Sequence, residues 1–227
     1  MDGKELRGSI QAGEKRGEVV VQAVNHENGR TVAQNYYCGR KESEVPTVRK
    51  LLDTGNLSSQ KISLDALHCK PQTLEIITES KGKYLVGLKE NQKRLLKQVI
   101  KTGENQPALW EIKANNKEHG RIETRSYKFY DLLETKKDER WKNCEIRTGI
   151  KVRRQRNQVK SGKKSDETSY YVSSEVGKYE EIAQAIRRHW QVETNNHRRD
   201  VTLSEDRMRS KKRTSIKQWQ KLEQWQQ

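Results

Sequence analysis

The stretch Arg187-Arg188-His189-Trp190-Gln191-Val192-Glu193-Thr194-Asn195-Asn196-His197-Arg198-Arg199-Asp200-Val201, continuing to Glu205, Asp206 and Arg209, organises the chain. Glu193, His197 and Asp200 stand at i, i+4 and i+7, so on a helix they share one face. Arg187, Arg188, Arg198 and Arg199 surround them. A carboxylate among so many guanidiniums points to a site that takes a cation and a polyanion together. The competing reading is a solvated amphipathic helix with incidental charge pairs. Upstream, Tyr179 to Val192 has helical periodicity, with Ile182, Ala185, Ile186 and His189 on an inner stripe that delivers Glu193 to the site.

Composition narrows the partner. The chain has 227 residues, 47 Lys and Arg against 31 Asp and Glu, and a formal net charge of +16. That balance favours an acidic polymer, most simply nucleic acid. Hydrophobic residues make up 31% and mean hydropathy is −1.15, so the core is expected to be small. Cys38, Cys69 and Cys144 are widely spaced and form no metal-finger pattern, which fits free thiols in a reducing cytoplasm. No apolar run approaches the roughly 18 residues of a membrane span. The opening Met1-Asp2-Gly3-Lys4-Glu5 lacks the apolar stretch of a signal peptide. The expected location is therefore cytoplasmic, with no membrane partner.

Three further segments carry candidate chemistry. The first is Asp2-Gly3-Lys4-Glu5-Leu6-Arg7-Gly8-Ser9, whose Asp-Gly pair by itself reads as a turn. After it, Gly17 to Val24 reads as a strand. Asn28-Gly29 signals a hairpin and Thr31 to Tyr37 the return strand. A helix opens near Pro46 and stops at Gly55.

The second is Lys61-Ile62-Ser63-Leu64-Asp65-Ala66, a short apolar strand ending in Asp65, with a helix from about Gln72 to Ser80. Carboxylates at the C-terminal ends of strands face the functional edge of an open α/β sheet. An ordinary helix N-cap is the alternative role for Asp65. Gly82 to Lys89 reads as a buried strand, followed by Glu90-Asn91-Gln92-Lys93 and a helix from Arg94 to Lys101. Lys89, Asn91 and Gln92 are candidates for phosphate contacts.

The third is Lys117-Glu118-His119-Gly120-Arg121-Ile122-Glu123-Thr124-Arg125. On a strand, Arg121 and Arg125 present one cationic face. Strand-like pieces recur at Arg121 to Tyr130, Cys144 to Arg153 and Ser169 to Ser173, with polar loops such as Gln155 to Asp166 between them.

In this order the segments resemble the bacterial insertion-sequence transposases of the DDE type. Arg187, His189, Trp190, Glu193, His197, Asp200, Val201, Glu205 and Asp206 follow that family's pattern R-x-H-W-x-I-E-N-x-x-H-W-x-x-D-V-x-x-x-E-D. Thr194 and Arg198 depart from it, and Val192 stands in for Ile. The Asp2 segment resembles D-G-K-x-x-R-G-S, and Leu64-Asp65-Ala66-Leu67-His68 resembles the second-Asp motif. Tyr84 to Gln92 resembles D-Y-x-L-A-L-K-x-N-Q, and His119 to Arg125 resembles H-G-R-x-E-x-R.

The resemblance implies an α/β fold: a ribonuclease-H-like mixed sheet flanked by helices, with a β-rich insertion before the last catalytic helix. Residues 1–102 would form the first part of that core, 103–175 the insertion, 176–209 the catalytic helix region and 210–227 a basic, Gln-rich tail. The family's first core strand ends at the Asp, so here Met1 leaves it no preceding residues. The tail lacks the Leu-rich helix, and truncation at both ends is expected.

The resemblance further implies Asp2, Asp65 and Glu193 as catalytic carboxylates and metal ligands. Asp2 and Asp65 are 63 residues apart, Asp65 and Glu193 128. If they meet, three carboxylates can hold two Mg²⁺ or Mn²⁺ ions about 4 Å apart, as hard oxygen donors prefer. Lys4, Arg7, Lys89, Asn91, Gln92, Arg121, Arg125, Arg187, Arg188 and His197 would contact double-stranded DNA, both transposon ends and target, and Arg153, Arg154, Arg198 and Arg199 would also neutralise phosphates. The active form is expected to be a homodimer. A second reading is an inactive remnant that only binds nucleic acid. A third, a basic RNA binder, leaves the placement of Asp65 and Glu193 unexplained.

Overall fold

The computed structural model describes residues 1–6, 10, 17–38, 44–118, 121–133 and 138–189. Glu193, His197 and Arg7 lie outside them, and Asp2 is described by its backbone alone. The chain divides into two compact units, residues 1–56 with 188–227, and residues 57–187.

The first unit contains a three-stranded antiparallel sheet in the order β1-β2-β3. β1 (Asp2–Leu6) pairs with β2 (Glu18–Val24), and β2 with β3 (Thr31–Cys38). The β-branched run Val19-Val20-Val21 gives β2 its strand character, and Val20 and Val21 are fully enclosed. The β2–β3 connection contains Asn25, whose Oδ1 accepts from the Glu27 N–H at 2.7 Å, and Gly29 at φ +72°. The positive φ is the reason for glycine there. Asp2 stands in β1 and pairs with Gln22. α1 (Glu44–Asp53) buries Val45, Val48 and Leu52.

The second unit is built on a six-stranded mixed sheet, β4-β5-β9-β8-β7-β6. β4 (Lys61–Leu64) and β5 (Lys83–Leu88) are parallel and joined through α2 (Pro71–Glu79), which starts at a proline. The near-continuous burial of β5 is that of a strand covered on both faces. The other strands are antiparallel: β6 (Trp110–Glu118), β7 (Arg121–Asp131), β8 (Thr148–Gln158) and β9 (Lys164–Ser173). β9 hydrogen-bonds β5, so the β-rich region continues the sheet that carries Asp65.

One difference from the sequence reading stands out. Gln155 to Asp166, expected to be loop, is mostly hairpin, with β8 running to Gln158 and β9 beginning at Lys164. Its polar residues on both faces hid the period of two. Cross-strand pairs such as Arg153 Nε to Asp166 Oδ1 (3.0 Å) span the hairpin instead of apolar burial. β6 was likewise missed, since it is exposed and largely polar.

Two helices cover opposite faces of this sheet. Phe129 and Ile150 are cross-strand partners on one face, packed with Tyr127, Val152 and the Ile182, Ala183 and Ile186 stripe of α4 (Tyr179–Arg188). Tyr130 and Gly149 pair on the other face, against α3 (Lys93–Asn105). A Cβ on Gly149 would meet Val99 and Leu132 at 3.1 Å, and one on Gly103 would meet the Tyr130 ring at 2.9 Å. Each large apolar side chain enclosed here contributes about 1.5–3 kcal/mol. The α4 stripe is Ile182, Ala183 and Ile186, with Ala185 packed at its border, close to the stripe expected.

Among the described residues no helix is long and apolar enough to cross a membrane. Cys69 and Cys144 are buried free thiols, and burial pushes both up to about 12. Both should therefore resist iodoacetamide in native protein at pH 8 and react readily once unfolded. Peptide mass spectrometry reads this, and fast native labelling of either thiol would contradict the packing.

Candidate nucleic-acid and metal site

Asp65 follows directly on β4, with extended backbone (φ −68°, ψ 162°), at the N-cap of the 3-10 turn Ala66–His68. Its side chain makes no capping hydrogen bond and is exposed. The ordinary cap role is thus not the one it fills. Instead the main chain of this loop is held from elsewhere. The Asp65 carbonyl accepts from the His68 N–H at 3.0 Å. Asn91 Nδ2 donates to the Ala66 carbonyl at 2.6 Å, and buried Gln92 donates from Nε2 to the Cys69 carbonyl at 2.7 Å. Gln92 Oε1 in turn accepts from Arg140 at 2.9 Å. The Asn-Gln pair, expected at DNA phosphates, therefore has these amide donors turned inward onto the loop that carries Asp65.

Gly87 explains how that loop comes so close to the sheet. A Cβ there would sit 3.1 Å from the Ala66 nitrogen. Gly87 pairs with Tyr171 of β9, so Ala66 lies over a strand position whose neighbour is a tyrosine. Burial, then the charges of Tyr127 and Asp65, push the Tyr171 hydroxyl above the ordinary tyrosine range, while Arg125 opposes them. Tyr127, Asp65 and Arg125 are thus each within electrostatic reach of the Tyr171 hydroxyl. Tyr127 is also raised by burial, against the lowering charges of Arg125 and Arg187 and a hydrogen bond from Arg125.

Arg121 is exposed, and Arg125 lies on the same face of β7, as the strand reading expects. Between them stands Glu123, which in sequence could be grouped with Glu118 and His119 as a metal cluster although no ligand spacing supports one, and which is buried. Its carboxylate meets Arg125 at 2.5 Å, Arg154 at 2.7 Å and Arg156 at 2.9 Å. The cross-strand register puts Arg156 opposite Glu123 and Arg154 opposite Arg125. Arg156 falls in the stretch expected to be loop, whereas Arg154 is among the arginines expected at phosphates.

The remaining candidates are dispersed. Lys89 is exposed beside the Asn91-Gln92 turn. Lys4, expected at a phosphate-facing surface, is buried in the first unit. Arg187 and Arg188 are exposed at the end of α4. Glu193, His197, Arg7 and the Asp2 side chain lie outside what is described, as does His119. Among the described residues no three His, Cys, Asp or Glu side chains gather in a metal-binding group.

Comparison with known families makes the class definite. The family described as "Transposase DDE domain" matches residues 1–220, and the chain belongs to it. It is 29% identical over 223 residues to "Putative transposase YncI" of Escherichia coli O157:H7, covering 92% of this chain and 55% of that one. It is 30% identical over 217 residues to "Putative protein YbfL" of E. coli strain K12, covering 91% and 56%. The same identity and coverage hold for "H repeat-associated putative transposase YhhI" of strain K12. The chain spans about half the length of these curated relatives.

The loop geometry predicts that Gln92→Ala costs about 1–3 kcal/mol, because the variant leaves a buried carbonyl and Arg140 without its amide. Urea denaturation measures this. A change below a few tenths of a kcal/mol would mean that the amide does not hold the loop.

Proposed function

We propose that this chain is catalytic machinery of an insertion-sequence transposase, cleaving and joining strands of double-stranded DNA with Mg²⁺ or Mn²⁺ as cofactor. The observation that carries this reading is the state of Asp65. Its carboxylate stands past the end of a parallel strand, exposed and making no cap bond, on a loop that other side chains hold in place. A residue kept for folding alone would be expected to cap the turn it begins.

The donor chemistry of Asp65 fits a hard divalent cation. Asp2 and Glu193 are proposed as the other carboxylate ligands, on the motifs they occupy. A divalent ion held there supplies charge neutralisation and Lewis acidity at a phosphodiester. The chain's own residues do the rest. Asp65 orients the cation, and the Asn91 and Gln92 amides keep the Asp65 loop from drifting, which matters because small misplacements cost large factors in rate. Arg121, Arg125, Arg187, Arg188 and Lys89 neutralise phosphates of the DNA, and His197 is proposed to contact a phosphate beside Glu193. Residues 1–102 and 176–209 are read as the catalytic core and 103–175 as the part that holds DNA. A homodimer is the proposed active form.

Two measurements test this. Carboxylates crowded together repel, and a bound cation relieves that repulsion. A cation at a hundredfold excess over its Kd stabilises the fold by about 2.7 kcal/mol. For a domain of this size each kcal/mol raises Tm by about 2–4 °C. Mg²⁺ or Mn²⁺ should therefore raise Tm by several degrees in the wild type and by much less in Asp65→Asn. A melting temperature flat across the titration would sink the metal reading.

In a plasmid-nicking assay, wild-type protein should cut with Mg²⁺ and Asp65→Asn should fall to background. Equal nicking by both would remove Asp65 from the chemistry. DNA binding without any nicking by the wild type would favour a chain that only binds nucleic acid.

A further inference from the structure

The six-stranded sheet ends at β6, and nothing among the described residues pairs with the outer edge of that strand. Terminal strands are commonly short, bulged or broken by proline, because a bare row of N–H and C=O groups recruits another chain. β6 is nine residues long (Trp110–Glu118) and has no proline. Its pairing with β7 is continuous from Trp110–Phe129 to Glu118–Arg121. It does carry lysines, another common guard of an edge, and their places decide what the edge can accept.

In an antiparallel pair, one residue turns its N–H and C=O to one side and the next residue to the other. The Phe129 carbonyl accepts from the Leu109 N–H at 2.8 Å, so Phe129 bonds toward β6. Its register partner Trp110 therefore bonds inward, and so do Ile112, Ala114 and Asn116. The backbone groups left facing outward belong to Glu111, Lys113, Asn115 and Lys117, all of them exposed residues.

A two-fold axis lays a second copy of β6 antiparallel against the first. Centring that axis on Ala114 gives every outward residue another as partner: Glu111 opposes Lys117 and Lys113 opposes Asn115, each twice. Moving the axis one residue toward the N-terminus sets Lys113 against itself. Moving it one residue the other way sets Lys113 against Lys117. Opposite charges across a pair stabilise it and like charges destabilise it, so charge selects the Ala114 register. At the axis Ala114 meets its own copy in a non-hydrogen-bonded pair, where side chains come closest and a methyl fits. Lys128 meets Oε1 of Glu111 at 2.7 Å, and the Glu111 side chain stays 46% exposed, leaving room for a second lysine.

We propose that β6 is the surface through which two copies of this chain associate, edge to edge about a two-fold at Ala114, joining their sheets into one. The β7 and β8 arginines then lie beside the axis, with an Asp65 loop near each outer margin. The inference rests on the homodimer in the functional reading and assigns its surface.

Sedimentation velocity on the full chain over a concentration series tests this, with circular dichroism to confirm that each variant is folded. The wild type should pass from 26.6 kDa to twice that mass as concentration rises. Lys113→Pro removes an N–H that points away from β7, so the hairpin keeps its ladder. That variant should stay monomeric where the wild type is dimeric. Lys117→Glu and Glu111→Lys each set like charges opposite one another twice per dimer and should weaken self-association by about tenfold. Mixed together, the two variants oppose unlike charges at both places, and dimer should return. Lys160→Glu, the same charge change at the exposed β8–β9 turn, should leave Kd unchanged.

Dimers of wild-type strength in Lys113→Pro and in both charge variants, or an equal loss in Lys160→Glu, would overturn the edge pairing and leave a homodimer built elsewhere. No recovery in the mixture would overturn the Ala114 register. A wild type that stays monomeric throughout the series would overturn the edge pairing and the homodimer together.

Discussion

The second unit depends on one strand being bonded along both edges. β5 is parallel to β4 on one side and antiparallel to β9 on the other. Through the first pairing it fixes where Asp65 leaves the sheet. Through the second it joins that loop to the long β6–β9 meander with its arginines. The requirement shows in its composition: Tyr84, Leu85, Val86 and Leu88 are all buried, and Gly87 has no side chain where Ala66 crosses. Any larger residue at 87 would press on the Ala66 nitrogen and shift the loop that presents Asp65. The carboxylate and the cationic face are therefore parts of one sheet, not two features that happen to lie on one chain.

The same economy governs the polar groups around the loop. Asn91 and Gln92 look like surface amides in sequence, yet their donors satisfy the carbonyls of Ala66 and Cys69. Leaving the Cys69 carbonyl buried and unmatched would cost about 1–3 kcal/mol, while the Ala66 carbonyl accepts from the Cys69 N–H as well as from Asn91. A loop carrying an exposed acid cannot rely on that acid for its own order, so its order comes from the next turn in the chain. This separates the two duties: the amides hold the backbone, and the carboxylate stays open toward solvent.

Much of this was legible beforehand because it depends on local pattern. The β-branched run of β2, the apolar run of β5, the proline opening α2 and the stripe of α4 each announce their element. Asp65 was legible as a candidate because it follows a short apolar strand. The hairpin of Arg156 and Lys164 was not. Its residues are polar on both faces, and what holds them extended is pairing with strands remote in sequence. β6 was hidden for the same reason.

Membership of the transposase DDE domain family, the basic character and the identity of Asp65 as a strand-end carboxylate thus follow from residue order, since they rest on composition and short spacings. Tertiary structure alone decided that Gln92 is interior, that Glu123 gathers three arginines, and that the β-rich region extends the sheet bearing Asp65. Each of these is set by partners dozens of residues away, brought together by cross-strand register, and no local window of sequence contains that register.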